Sequence, residues 1–134
     1  MGLFCVVGVA GCATASTCVS WVDYETPQAA YNDSTLVVTG TALPATGTVR
    51  IFGLDVPQHP VLVDDLLKGE YTEPLLVAGA PQTCPGPGPD QLDRDDTVIL
   101  FLIRDTDAGT WRMITPYDGV VPLPADGTFP FDLE

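Results

Sequence analysis

Short apolar runs broken by turn residues recur along the chain, and their spacing is that of strands. LVVTGTAL (Leu36 to Leu43), TVRIFGLDV (Thr48 to Val56), PVLVDDLL (Pro60 to Leu67), PLLVAGA (Pro74 to Ala80), TVILFLIR (Thr97 to Arg104) and TWRMIT (Thr110 to Thr115) are each β-branched or aromatic-rich. Each is bounded by turn residues, so six strands are predicted. TVILFLIR is apolar at nearly every position, which predicts a central strand buried on both faces. Asp105-Thr106-Asp107-Ala108-Gly109 then reads as a hairpin loop, with Gly109 available for a positive φ. One stretch reads as helix. In ETPQAAYND, Thr26 is placed to cap, and Pro27 suits the first helical position because its missing N–H has no partner there anyway. Gln28, Ala29, Ala30 and Tyr31 continue for a turn or two before Asn32 and Asp33 stop it. Thirteen glycines and thirteen prolines leave no longer helical period. The pattern predicts an all-β barrel or sandwich with one short helix near the N-terminus.

The N-terminal run breaks this pattern. From Gly2 to Gly11 the chain is uncharged and mostly apolar, the length of a signal-peptide core and far short of the roughly 20 residues of a bilayer span. Val9-Ala10-Gly11-Cys12 resembles the bacterial lipobox, which implies lipidation of Cys12 and anchoring on the extracytoplasmic side of a cell membrane. Two other readings compete. Ala13-Thr14-Ala15 fits an A-x-A site, with cleavage before Ser16 and a secreted product, and residues 3–10 could instead form a buried strand. The basic n-region usual in such segments is missing, as expected if translation starts upstream. The lipobox reading divides the chain into a signal segment (1–11), a tether (12–17) and one domain (18–134) with a Pro/Asp-rich tail from about residue 122.

Cysteine usage fits export. With Cys5 removed and Cys12 lipidated, Cys18 and Cys84 remain, and in an oxidising compartment they are expected to pair. Closing that loop contributes about 4 kcal/mol in the chain-entropy picture. Metal ligation is disfavoured, because neither cysteine belongs to a C-x-x-C pair and His59 is the sole histidine.

Charge narrows the partners. The formal net charge is −13, and Arg50, Lys68, Arg94, Arg104 and Arg112 are scattered. Such a surface repels phosphate backbones, so no nucleic-acid partner is expected. With 134 residues, 46% of them hydrophobic, the chain suits one globular domain.

Several motifs together resemble the tissue-inhibitor-of-metalloproteinases and netrin-module superfamily. These are Cys18 followed by Pro27-Gln28-Ala29-Ala30-Tyr31, then Val37-Val38-Thr39-Gly40-Thr41-Ala42, and Val63 to Gly69 with its Lys68-Gly69. The resemblance spans roughly residues 17–124 and is closest to bacterial exported proteins of that type. It implies an OB-fold-like, closed or partly open barrel of five to six strands. Inhibitors of this class chelate zinc through the α-amino group of an N-terminal cysteine. Here Cys18 is the corresponding residue and is preceded by others under either cleavage reading, so that chelating amine is absent.

Chemical candidates are sparse. Asp64-Asp65 and Asp95-Asp96 are adjacent acids of the sort that can share acid–base work, and they read equally as solvated turn and strand residues. Ser20 and His59 lack the surroundings of a nucleophile and base, so no catalytic residue and no enzyme activity is predicted. The acid-rich loops Pro85 to Asp96 and Arg104 to Gly109 could hold calcium as a weak structural ligand; the second begins like an EF-hand loop but has no closing glutamate, hairpin-turn chemistry explains the same residues, and no cofactor or metal is expected. Tyr31 and Trp111 read as core packing, leaving Trp21, Tyr24 and Tyr117 as possible ligand contacts. The expected role is an extracytoplasmic binding module for a protein or small ligand. The alternative is a loop-mediated inhibitor of an extracytoplasmic metalloprotease.

Overall fold

The computed structural model describes residues 21–82 and 88–133. Its elements are α1 (Pro27–Asp33), β1 (Leu36–Ala42), β2 (Gly47–Ile51), β3 (Leu54–Lys68), β4 (Leu75–Ala78), β5 (Val98–Asp105), β6 (Thr110–Met113) and β7 (Val120–Pro122). Five strands close a barrel. β1 pairs with β3, β3 with β4, β4 with β6 in parallel, β6 with β5, and β5 returns to β1; every pairing but β4–β6 is antiparallel. This closure is that of an OB-fold-like barrel. β2 and β7 lie outside the circuit, bonded to β3 and β5.

Period-2 alternation in β5 builds two cores at once. Val98, Leu100 and Leu102 point into the barrel, among Leu36, Val38, Val61, Leu75, Val77 and Met113. Ile99 and Phe101 point outward, where Val37, Ala30, Tyr31, Ile114 and Phe131 cover them. The strand is therefore buried on both faces, as its continuous apolar run predicts, because α1 and the C-terminal segment form a second layer. Each such side chain contributes about 1.5–3 kcal/mol on full burial.

The helix forms where its signals sit. Thr26 Oγ1 accepts the Ala29 N–H at 3.1 Å, Pro27 opens the helix, and Ser34 closes it. Lys68 reaches from the end of β3 to donate to the last helical carbonyls, Tyr31 O at 2.8 Å and Asn32 O at 3.1 Å. Gln28 grips the main chain of Asp132, accepting its N–H at 2.6 Å. Gly40 is required by a close approach, since a Cβ there would run into the Leu62 carbonyl of β3. These motif residues cap the helix, tie it to β3 and the C-terminal segment, and allow the close approach of β1 to β3.

Three features differ from the sequence pattern. Thr48 to Val56 is not one strand: Phe52 and Gly53, with φ of 52° and 81°, turn the chain back as a hairpin. Both positive φ values suit a tight two-residue turn, yet phenylalanine is not a residue that announces one. The second half of that segment then runs on through Pro57 and Pro60 into a single 15-residue strand. β3 tolerates the prolines while changing partner along its length, from β2 to β4 to β1. β7, three residues long, is too short to show a period. The Pro/Asp-rich segment beyond residue 122 is seated on the barrel, with Phe131 stacked on Tyr31 at 4.8 Å and edge-on to Phe101 at 5.5 Å. Gly109 has the expected positive φ, 70°. Cys12, Cys18 and Cys84, and with them the lipidation and disulfide expectations, lie outside the described residues.

Candidate binding site

Beyond the edge of α1 the outward face of β5 and β6 is less well covered. Ile103 stands directly opposite Arg112 there, and Ile114 follows. Trp21 and Tyr24, on the segment leading into α1, lie over these residues. With Val22, Asp33 and Thr115 they line a cavity of about 260 Å³.

Each wall is fixed by named contacts. The Trp21 indole Nε1 donates to Pro81 O at 3.1 Å, and its ring meets Phe52 edge-on at 5.5 Å. The Arg112 guanidinium lies 5.4 Å from the Trp21 ring and 5.1 Å from the Phe52 ring, distances at which the ring quadrupoles attract it. Its Nε donates to Asp105 at 3.3 Å and its Nη1 to Met113 O at 3.1 Å. Burial pulls the Arg112 pKa below the usual arginine value while Asp105 opposes that, and the guanidinium stays charged. Nη2 has no protein partner among the described residues. No buried side-chain nitrogen or oxygen among them is unpaired, so Nη2 reaches solvent.

The Tyr24 side is built by a turn. Thr115 Oγ1 accepts the N–H groups of Tyr117 and Asp118 at 3.2 and 2.8 Å, and Asp118 in turn accepts the Tyr24 N–H at 3.3 Å. The Tyr24 hydroxyl donates to Asp33 at 2.9 Å. Burial, then this bond, then the charges of Asp33 and Asp118 push the Tyr24 pKa up to about 12, so the phenol keeps its proton at neutral pH. The cavity thus has a cation on the barrel wall, a carboxylate at the helix end, and rings and aliphatic side chains between.

Of the three expected contacts, Trp21 and Tyr24 converge. Tyr117 does not line this cavity and stands 61% exposed beside it. Arg112, Ile103 and Asp33 join them, and no sequence motif gives these three a site role. The alternation in TWRMIT marks Arg112 as facing away from its neighbours Trp111 and Met113, but its partner across the sheet is a long-range fact. Tyr31 is fully buried, as expected. Trp111 is only partly so: it packs against the interior core, with Arg104 over its ring at 5.5 Å.

No protein-family model matches the chain, and no curated protein does.

A larger cleft, about 410 Å³, is lined by Ala42, Leu43, Pro44, His59, Leu92, Asp93, Arg94 and Asp95. Its chemistry is already spent internally. His59, 3% exposed, donates through Nδ1 to Leu43 O at 2.6 Å, and its Nε2 is 2.8 Å from Asp90 Oδ2. No ring nitrogen is left to face a substrate. Arg94 holds Asp96 by two bonds at 2.6 and 2.7 Å, which keeps the Asp96 carboxyl below the usual carboxylate range. Asp64 and Asp65 lie at a bulge in β3, where Thr39 pairs with Asp65 and Gly40 with Val63 so that Asp64 is passed over, and both side chains are exposed to solvent. In the Arg104 to Gly109 loop, Asp105 accepts from Ala108 N and Arg112, which occupies both its oxygens. Among the described residues no three His, Cys, Asp or Glu side chains gather as a metal site. No helix among them is long and apolar enough to cross a membrane. Ser20 lies outside them.

Proposed function

We propose that this protein is an exported, lipid-anchored binding module, held through Cys12 on the extracytoplasmic side and without catalytic machinery. Its ligand contacts gather at the Trp21–Tyr24–Arg112 cavity. The observation that supports this is the meeting of two aromatic side chains with a partly unpartnered guanidinium over an apolar floor on a rigid sheet. Such a combination of apolar lining and few fixed polar groups is what small-ligand sites use. A Trp111→Phe chain leaves Trp21 as the sole tryptophan, and its emission reports on the cavity. Screening small molecules against that chain is expected to yield saturable changes that Tyr24→Ala removes. Saturable binding that never alters Trp21 emission, or no saturable binding at all, would contradict the reading.

A second reading, loop-mediated inhibition of a metalloprotease, draws support from Phe52. This residue tips the β2–β3 hairpin, 51% exposed and beside Trp21. On that reading Phe52→Ser abolishes inhibition of an extracytoplasmic zinc protease, and inhibition that survives the change excludes the hairpin.

A further inference from the structure

Among the described residues, Val22 is 59% exposed and Phe52 51%, and Trp21 joins them. Val22 follows Trp21 in the chain and lines the same cavity, while the Phe52 ring meets the Trp21 ring edge-on at 5.5 Å. The three side chains form one apolar patch, shared between the segment entering α1 and the tip of the β2–β3 hairpin. The cations beside it are already held, Arg112 by Asp105 and Arg50 by Asp55, each at 3.3 Å. Asp23 and Glu25, next along the chain, are exposed acids. The patch thus offers apolar surface rather than positive charge.

We infer that this patch rests on the lipid bilayer to which Cys12 is anchored, with Trp21, Val22 and Phe52 in the interfacial layer. The inference rests on Cys12 carrying the lipid, and it goes beyond the binding role proposed above. Chain length points to the bilayer as the occupant. Trp21 stands nine residues after Cys12, so the two lie no more than about 30 Å apart. The Trp21 indole is fixed to the barrel through Pro81 O at 3.1 Å, so the leash ends at the patch itself. Such a leash holds the patch at high effective concentration beside the membrane, where even a weak apolar contact is populated. Side-chain chemistry agrees. Tryptophan favours membrane–water interfaces because its ring is apolar and its N–H polar, and Phe52 and Val22 add apolar area beside it. Charge decides the kind of bilayer. A chain of net charge −13 is repelled by anionic headgroups, so docking is driven by apolar contact and is strongest on electrically neutral phosphatidylcholine. Because Trp21 and Val22 also line the cavity, docking sets its rim in the headgroup layer.

The test places the full lipidated Trp111→Phe chain, with Trp21 its sole tryptophan, on phosphatidylcholine vesicles whose acyl chains carry bromine near the headgroup. Bromine quenches an indole that reaches the lipid, so the quenching of Trp21 reads the docked fraction. Where Trp111→Phe does not fold, the difference between the wild-type chain and Trp21→Phe gives the same reading. Quenching is expected on phosphatidylcholine, with a decrease when anionic lipid is added at low salt and a recovery as salt screens the repulsion. Phe52→Ser should lower the docked-to-undocked ratio roughly fivefold, the effect of burying half a phenylalanine side chain. Val22→Ser should lower it as well, whereas Leu62→Ser, equally exposed and outside the patch, should leave it unchanged. A lipidated, vesicle-bound chain whose Trp21 escapes the bromine overturns the docking and leaves the Cys12 anchor standing. Equal losses from Leu62→Ser and Phe52→Ser overturn the assignment to this patch. A blue-shifted Trp21 without quenching also overturns it, by showing that a second copy of the chain covers the ring. A chain with Cys12 unmodified that stays off the vesicles overturns both the docking and the anchor.

Discussion

His59 shows how one side chain can look catalytic in sequence and be structural in space. A lone histidine in an acidic chain draws attention as a base, yet the fold buries it between a main-chain carbonyl and Asp90. Through Asp90 it ties the segment between β4 and β5 to β3, and through Leu43 it ties the β1–β2 connection to the same strand. His59→Ala is expected to cost about 3 kcal/mol, combining lost hydrogen bonds with a cavity, as read by urea denaturation. A loss near zero would show that the ring is not a strut. Tyr24 makes a prediction of the opposite kind, in pH. Its phenol has an ordinary value of 10.0 in the unfolded chain and about 12 in the fold. Between those values the unfolded state releases a proton that the folded state retains. Stability from this group is therefore complete below pH 10 and declines as pH rises toward 12. Tyr24→Phe should remove that part of the alkaline loss, seen as a shallower fall of stability over the same range.

At the scale of elements, what the sequence made legible was local. Thr26 and Pro27 define the start of α1 through contacts within one turn, and Thr97 to Arg104 declares its double burial by composition alone. Thr26→Ala should cost about 1 kcal/mol, checked by denaturant melting. The hairpin at Phe52-Gly53 was hidden for a physical reason. Its positive φ at a phenylalanine is sustained by tertiary contacts with Trp21 and Arg112, and no local pattern reveals those. Gly53 carries the more demanding φ, 81°, with open space around its missing Cβ. Gly53→Ala therefore reports conformational cost without a clash, and is expected to destabilise by about 1–2 kcal/mol. The partner changes of β3 were equally invisible, since alternation fixes a strand's faces and not its neighbours. Arg112 belongs to the same class: its side of the sheet was readable, and its position against Trp21 and Phe52 was not.

For the whole molecule, the second layer sets both the burial of the outer core and the place of the cavity. α1 and the residues around Phe131 cover Phe101 and Ile99, and the cavity opens where that cover ends. Phe131→Ala should cost about 3 kcal/mol and loosen α1, read as faster amide exchange at Ala30 and Tyr31. Membrane-extracted native protein, weighed intact, should carry diacylglycerol on Cys12 and lack two hydrogens for the Cys18–Cys84 bond. An unmodified chain beginning at Ser16 would instead indicate secretion. The most direct measurement is a residue-resolved amide map of the full chain in the presence of small-molecule fragments. Perturbations are expected to cluster at Trp21, Tyr24, Ile103, Arg112 and Ile114. A cluster at Leu43, His59, Leu92 and Arg94 would place the site in the other cleft and contradict the binding role given to the Trp21–Arg112 cavity.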